Sequence, residues 1–482
     1  MRAAEAAWFA AGHDSFALMQ TAAAHVASCA AAMLGAPARI LVLAGPGNNG
    51  GDGLVAAHLL AAQGHSVAVA ALADPAAWQG DAACARALWG GPVLADSAPW
   101  PQADLVLDAL FGIGLARPLE GRAEALVQRA NALGCPILSI DIPSGIDSDT
   151  GEVRGAAIRA TRTITFHTAK PGHLLLPGRL HTGQLEVADI GLPPPEAALW
   201  ENGLGLFRLP EPASDTHKYA RGGVAVWSGP ELATGAARLA ARAALRVGAG
   251  AVTLCGSAAA LRVHAAHETA IMLREADAQG FARFLVEPRV RAACVGPGAG
   301  EGARRAAGAA LEAGVALVLD ADALSAFAGD SAHLARLVRR QARPVVLTPH
   351  EGEFARLFPG ISGSKLARAG EAAAATGAVV VLKGADGVIA SPDGRAAINA
   401  NAPAWLATAG SGDVLAGLAT GLLAQGMGGF AAAAAACWLH GALGQALGAG
   451  LVAEDLSGPA VRKVLAAALA AQAGDSSTQA AT

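Results

Sequence analysis

No run of five or six like charges occurs anywhere in this chain, whose formal net charge is −4. Polymers of phosphate are normally held by a basic stripe, so its absence argues against a nucleic-acid partner. A phosphate-bearing partner is then a small molecule held by backbone N–H groups. Long apolar runs are missing too. The longest, residues 430–439, is about half of the ~20 residues that a membrane-spanning helix needs. The N-terminus carries Glu5 and His13 among its alanines, without a basic start and an apolar core behind it. Neither a secretory signal nor a membrane partner is expected. Cysteine is scarce. The six (Cys29, Cys84, Cys135, Cys255, Cys294, Cys437) form no CxxC pair and read as scattered small core residues in a reducing cytoplasm.

What is abundant is small and apolar. Hydrophobic residues make up 53 % of the 482 positions and charged residues 15 %, the balance of a packed globular protein. At ~100–200 residues per domain, the length predicts two or three domains. The clearest seam spans residues 191–223, with Pro193, Pro194, Pro195, Pro210 and Pro212 and a polar cluster at 214–218. Domains of residues 1–205 and 206–482 are expected on either side. In each, short β-rich runs alternate with helical ones. Strands are expected at 40–44, 67–71, 105–108 and 137–141, then at 224–227, 252–255, 294–295, 315–320, 345–347 and 379–382. Helices are expected at 54–63, 76–89 and 120–133, then at 233–248, 301–313, 364–376 and 411–449. The alternation predicts an α/β fold of two doubly wound, mostly parallel sheets that bind ligands at the carboxyl ends of strands.

Three segments that follow strands stand out in the first half. Residues 40–44 run into Gly45-Pro-Gly-Asn-Asn-Gly-Gly-Asp-Gly53 and then a helical stretch, a geometry in which N–H groups and a helix dipole cradle a phosphate. It is not a Walker loop, because no GK[ST] follows, and Asn49 and Asp52 interrupt a GxGxxG spacing. A plain tight turn is the rival reading, and the density of turn formers weighs against it. Asp108-Ala-Leu-Phe-Gly-Ile-Gly114, continuing to Pro118, and Asp141-Ile-Pro-Ser-Gly-Ile-Asp147 end two further strands. An aspartate in such a place is often a helix N-cap, and three such loops on one sheet edge weigh against caps alone.

Together these loops resemble the NAD(P)H-hydrate epimerase family (the YjeF N-terminal domain), in family order and over roughly residues 5–190. The resemblance implies a Rossmann-like three-layer domain. It implies that Asn48, Asn49, Gly50, Gly51 and Asp52 bind a hydrated dinucleotide, and that Gly112, Ile113, Gly114, Leu115, Ala116, Arg117 and Pro118 line the same site. Asp141 would contact the substrate. A potassium ion held by Asn49, Asp108 and Ser144 is also implied, and all three offer the oxygen that a hard cation takes. A nicotinamide ring that has added water carries a hydroxyl on a new stereocentre. Interconverting its R and S forms requires proton movement, for which Asp141 is the candidate general acid/base.

In the second half, Ala409-Gly-Ser-Gly-Asp413 opens a helical run. Gly410, Ser411 and Gly412 would direct N–H groups into a cleft, with Asp413 one residue inside; the Gly-x-Gly-Asp arrangement resembles that of ribokinase-like folds, which implies a carboxylate base beside them. An N-cap with an acidic first turn explains the same residues. Thr348-Pro-His-Glu-Gly-Glu-Phe354, Lys383-Gly-Ala-Asp-Gly387 and Val295-Gly-Pro-Gly-Ala-Gly300 each follow an expected strand. Singly, His350 reads as a helix cap and Lys383 as a solvated turn lysine. As a set, with Gly235-Ala236, they resemble the ADP- or ATP-dependent NAD(P)H-hydrate dehydratases over roughly residues 206–470. The resemblance implies a ribokinase-like α/β domain. Lys383, Gly384, Ala385, Asp386, Gly387 and Gly412 would hold the nucleotide, expected to be ADP with Mg2+. Ala236, Gly298, His350 and Asp413 would contact the hydrated cofactor. Ser325 departs from the pattern where asparagine is expected, which puts a side-chain amide contact there in doubt.

The expectation is therefore a fused, cytoplasmic, homo-oligomeric enzyme that epimerises hydrated NADH and NADPH and dehydrates the S form with cleavage of ADP to AMP and phosphate. Two rivals stay open. One is a small-molecule kinase that keeps its phosphorylated product. The other is a first half reduced to an interaction module, against which intact Asn49, Asp52, Asp108 and Asp141 count.

Overall fold

The computed structural model describes residues 1–482 apart from 36, 95–97, 116, 195 and 480–482, so Ala116 and Pro195 lie outside the described residues. The chain divides into two compact units, Met1–Ala197 and Ala198–Thr482.

The first unit is built on β1 (Arg39–Ala44), β2 (Ser66–Ala71), β3 (Leu105–Ala109), β4 (Ile137–Ile140), β5 (Arg162–Phe166) and β6 (Gln184–Ala188). They form one sheet in the order β2-β1-β3-β4-β5-β6, and every pair is parallel. In β1 every residue after Arg39 is buried, the pattern of a strand covered on both faces. The two-residue period divides it: Ile40, Val42 and Ala44 join one core with Val26, Leu54 and Leu60, and Leu41 and Leu43 join another with Val127 and Ala130. Helices Ser15–Leu34 and Asn48–Ala62 therefore lie on one face and helix Arg122–Asn131 on the other. Each fully buried leucine here contributes about 1.5–3 kcal/mol. Strand order reverses beside β1, which opens a crevice between the carboxyl ends of β1 and β3.

All four expected strands are present, and β5 and β6 add to them. The segment Asn48 to Asp52 is not a loop ahead of a helix: it is the helix's first turn. Two glycines permit this. A Cβ on Gly50 would lie 1.8 Å from the Gly45 carbonyl oxygen, and one on Gly51 would lie 2.8 Å from Met19 Cε.

The second unit contains β7 (Leu199–Glu201), β8 (Gly223–Trp227), β9 (Ala251–Gly256), β10 (Met272–Glu275), β11 (Val290–Val295), β12 (Ala316–Leu319), β13 (Val345–Leu347), β14 (Val379–Leu382), β15 (Gly387–Ala390) and β16 (Ala396–Asn399). The sheet order is β10-β9-β8-β11-β12-β13-β14-β15-β16-β7, antiparallel at β14–β15 and β15–β16 and parallel elsewhere. β7 moves the boundary back from the expected 205/206, because Leu199 pairs with Ala396 and ties this stretch to the second sheet.

The helix expected over 411–449 is two helices, Ser411–Ala424 and Gly429–Leu447, with Gly426 (φ +97°) in the turn between them. The first packs closely on helix Thr234–Arg246, since a Cβ on Gly417 would stand 2.2 Å from the Ala240 carbonyl oxygen. Ser15–Leu34 and Gly429–Leu447 are each long and apolar enough, by length and mean hydropathy, to cross a membrane, although their continuous apolar runs are short. Both are core helices in part: the first buries Val26 and Cys29 in the first unit, and the second buries Phe430 and Leu439 against Val381 and Leu418 in the second.

Candidate active sites

In the first unit, β1 ends at Ala44, and the Gly45 N–H donates to the Ala109 carbonyl of β3 at 3.0 Å. A Cβ on Gly45 would lie 1.8 Å from the Leu110 carbonyl oxygen, so the two turns cross at backbone contact. The crossing brings Asn49 beside Gly112, where a Cβ would meet Asn49 Oδ1 at 3.3 Å and Asp141 Oδ2 at 2.8 Å. Both amide atoms of Asn49 are buried without a hydrogen-bond partner among the described residues. Buried polar atoms left unanswered are costly, so these call for a ligand.

Asp108 is fully buried at the end of β3. Its Oδ2 accepts from Ser139 Oγ and from the Ser144 N–H, both at 2.8 Å, and its Oδ1 accepts from Ser144 Oγ at 2.6 Å. Burial pushes its pKa up against these donors. The Phe111 N–H donates to Ser144 Oγ at 2.9 Å. Asn49, Asp108 and Ser144 thus gather around the Phe111–Gly112 step. An orphaned amide oxygen near a buried carboxylate and a hydroxyl is a donor set that fits a hard cation.

Asp141, directly after β4, has φ +66°, a left-handed backbone that aspartate tolerates better than most residues. Its Oδ1 stands 2.7 Å from Lys170 Nζ, and its Oδ2 accepts from the Ile113 N–H at 3.1 Å. Burial alone would raise this carboxyl, but the Lys170 ammonium outweighs burial and holds it below the usual carboxylate range. Asp52 goes the other way: burial, then the charge of Asp141, holds it well above that range. Two carboxyl groups of one site are thus pushed in opposite directions, the arrangement acid–base chemistry uses.

Of the remaining expected residues, Asn48 is exposed at the first position of its helix, and Gly50 and Gly51 are buried. Gly112 and Ile113 are half-buried, Leu115 packs on the core, and Gly114, Arg117 and Pro118 are exposed. Sequence reasoning missed Thr165, Lys170 and His173, which reach Asp141 from β5 and the turn behind it. The one available signal was a lysine and a histidine three apart just after a strand.

The second unit holds a cavity of about 470 Å3 lined by Asp320, His350, Glu353, Lys383, Gly412, Asp413 and His440, among others. Gly410 (φ +86°) starts helix Ser411–Ala424, whose first internal bond runs from the Val414 N–H to the Gly410 carbonyl. The Gly412 and Asp413 N–H groups precede that bond, as an anion-accepting turn requires. The Ser411 N–H, expected to join them, donates instead to the Thr408 carbonyl at 3.3 Å.

Burial and then repulsion by Asp320 push Asp413 up to about 7, against the attraction of Lys383. Lys383 Nζ lies 2.6 Å from Asp320 Oδ1 and 3.8 Å from Glu353 Oε2. Burial would lower the lysine, yet these carboxylates overcome it and keep the ammonium charged. His350 is the helix cap that its position suggests, and it also faces the cavity. Its Nδ1 accepts from the Gly352 N–H at 3.0 Å, capping helix Glu351–Leu357, and the residue lines the cavity.

Gly384, Ala385 and Gly387 also line the cavity. Asp386 does not, because its carboxylate turns to Lys365 Nζ at 2.6 Å. Ala236 and Gly298 lie side by side, a Gly298 Cβ standing 3.2 Å from Ala236 Cβ, and neither lines the Asp413 cavity. Gly298 adjoins Ala299 and Gly300, which border another cavity of about 1020 Å3. Ser325 is exposed and outside both. Asp320, Glu353 and the Ser411–His440 pair (Oγ to Nε2, 3.0 Å) are additions that the sequence did not suggest. Burial pushes His440 down to about 4, so its ring is neutral near pH 7.

Residues 15–172 match the family described as YjeF-related protein N-terminus, and residues 224–466 match the family described as NAD(P)H-hydrate dehydratase. The bifunctional NAD(P)H-hydrate repair enzyme Nnr of Moorella thermoacetica is 38 % identical over 445 residues, covering 84 % of this chain and 82 % of that protein. Its counterpart in Gloeobacter violaceus is 38 % identical over 493 residues, covering 94 % of each. The ADP/ATP-dependent NAD(P)H-hydrate dehydratase of Bacillus subtilis, co-crystallised with ATP and Mg2+, is similar at 29 % identity and a TM-score of 0.46, covering 54 % of this chain and 94 % of that one. The identity and coverage of the two full-length relatives, with an epimerase-type match followed by a dehydratase match, show that this chain belongs to the bifunctional NAD(P)H-hydrate repair enzymes.

Proposed function

We propose that the first unit interconverts the R and S hydrates of NADH and NADPH through Asp141, and that the second returns the S hydrate to NAD(P)H with cleavage of ADP to AMP and phosphate through Asp413. The observation that carries this reading is the second cavity, where an unpaired carboxylate with a pKa near 7 sits in the first turn of a helix beside a charged lysine. Hydroxide is a poor leaving group. Asp413 takes the hydroxyl proton, and the hydroxyl oxygen accepts the terminal phosphoryl of ADP as AMP leaves. Phosphate then departs with the carbon–oxygen bond, the adjacent ring carbon gives up a proton to water, and the ring double bond re-forms. Gly412 and Lys383 to Gly387 hold the nucleotide, though Asp386 acts through Lys365. His350 meets the hydrated ring, and Ala236 and Gly298 meet a more distant part of the dinucleotide. Magnesium would ride on the nucleotide phosphates, and Asp320, Glu353 and Asp413 offer the oxygen it accepts.

In the first unit Asn48 to Asp52 and the segment from Gly112 to Pro118 bind the hydrate. Asn49, Asp108 and Ser144 would hold potassium, whose charge would steady the buried acidic cluster. The reading extends to a homo-oligomer in the cytoplasm that takes hydrated dinucleotide and ADP and neither nucleic acid nor membrane. Dispersed charge and unpaired thiols support the last points.

The test is to incubate the protein with hydrated NADH and ADP while following the NADH absorbance band and assaying AMP. Recovery of NADH in step with AMP supports the reading. A stable phosphorylated product without NADH recovery would identify a kinase instead.

A further inference from the structure

Asp141 is gripped at both ends by the segment that follows β5. At the carboxylate end, Lys170 Nζ lies 2.7 Å from Asp141 Oδ1, 2.6 Å from Thr165 Oγ1 and 3.2 Å from the Phe166 carbonyl. An ammonium has three protons, and these three acceptors take all of them. Thr165, which accepts from Lys170, donates its own hydroxyl hydrogen bond to Asp141 Oδ1 at 3.2 Å. Both lone pairs of Oδ1 are thereby occupied. Oδ2 receives one donor, the Ile113 N–H, and keeps a lone pair beside Gly112.

At the backbone end, the Lys170 N–H donates to His173 Nδ1 at 3.0 Å. The ring proton is therefore on Nε2, which donates to the Asp141 carbonyl at 2.9 Å. That bond braces a left-handed residue that would otherwise relax. Lys170 and His173 are almost wholly buried.

We propose that Lys170, Thr165 and His173 are positioning residues of the epimerase site, which immobilise Asp141 Oδ1 and its backbone so that Oδ2 alone faces the substrate. Lys170 directs its three protons at acceptors of the protein and none at the substrate. The proposal rests on Asp141 as the proton-moving group, and the test separates the two ideas.

In the full chain, kcat and KM for conversion of purified R hydrate to S hydrate are measured without ADP, by chromatographic separation of the epimers. Lys170→Met is expected to lower kcat by about 100-fold with KM changed less than about threefold, because misaiming costs the chemical step more than binding. Thr165→Val is expected to fall by about tenfold, and Thr165→Ser, which keeps the hydroxyl, to recover most of that loss. A Lys170→Met kcat within about threefold of the parent, or a loss carried by KM, overturns the proposal. Should Lys170→Met fail to fold, the Thr165 pair decides: equal kcat in the valine and serine variants overturns it. Asp141→Asn is measured alongside. If that variant keeps full kcat, Asp141 is not the proton carrier and the positioning role falls with it. If it is inactive while Lys170→Met is normal, the positioning idea alone falls.

Discussion

Lys383 Nζ lies 2.6 Å from Asp320 Oδ1, and the pair borders the same cavity as Asp413. Asp413 therefore has a like charge and an opposite charge as neighbours, and burial together with Asp320 wins, at about 7. A base works deprotonated, so kcat/KM for dehydration should rise with pH and level off above about 7. Asp320→Asn removes a charge that raises Asp413, and the rising limb should move to lower pH. Profiles from about pH 5.5 to 9 at saturating ADP check this; an unmoved limb would leave the assignment of Asp413 without its electrostatic basis.

The same shift has a consequence for stability. A carboxyl whose pKa is raised by folding stabilises most below its unfolded value and loses that contribution as pH climbs through the folded value. Asp413→Asn never ionises. Its melting temperature should match the parent near pH 4, pull ahead as pH rises to about 7, and then keep a constant lead of about 4 °C or more. Differential scanning calorimetry across that range measures it, and a lead independent of pH would contradict the burial argument.

Asn49 presents two buried amide atoms without partners among the described residues, and potassium is the proposed answer to its oxygen. Replacing potassium with a large organic cation should slow epimerisation and leave the first unit folded. Asn49→Leu should raise the potassium concentration for half-maximal rate by about 10–100-fold, the range seen when support for a metal is removed. Rates indifferent to the cation would remove the metal from the site.

Gly112 has no room for a side chain. A Cβ there would stand 2.8 Å from Asp141 Oδ2, and that carboxylate is tethered by Lys170 and the Ile113 N–H. Gly112→Ala should therefore cost about 100-fold in kcat for epimerisation, with dehydration of S hydrate unchanged. Parallel assays of the two reactions on one preparation test it, and equal losses in both would point to a global defect.

Much of this was legible in the chain. Asn49, Asp108, Asp141 and Asp413 sit in local motifs where a strand or helix ends, and a motif announces its own geometry. Thr165, Lys170 and His173 were invisible because they reach Asp141 across 24 to 32 residues, through a pairing of β4 with β5 that no local pattern encodes. Asp320 and Lys383 are 63 positions apart and meet because β12 and β14 flank β13. Helix expectations erred where tertiary packing overrode turn chemistry: Asn48 to Asp52 carries turn residues, yet the crossing at Gly45 makes it helical. At Gly426 the reverse happened, and a glycine in an apolar stretch ended a helix that composition alone would continue.

Among the described residues neither sheet borrows a rung from the other half of the chain, since the six strands of one precede Ala198 and the ten of the other follow Ala197. Injury to the two halves should then leave different metabolic scars. A chain blind in its first half would still salvage one stereoisomer and strand the other as a dead-end pool. A chain blind in its second half would shuffle isomers endlessly and salvage none.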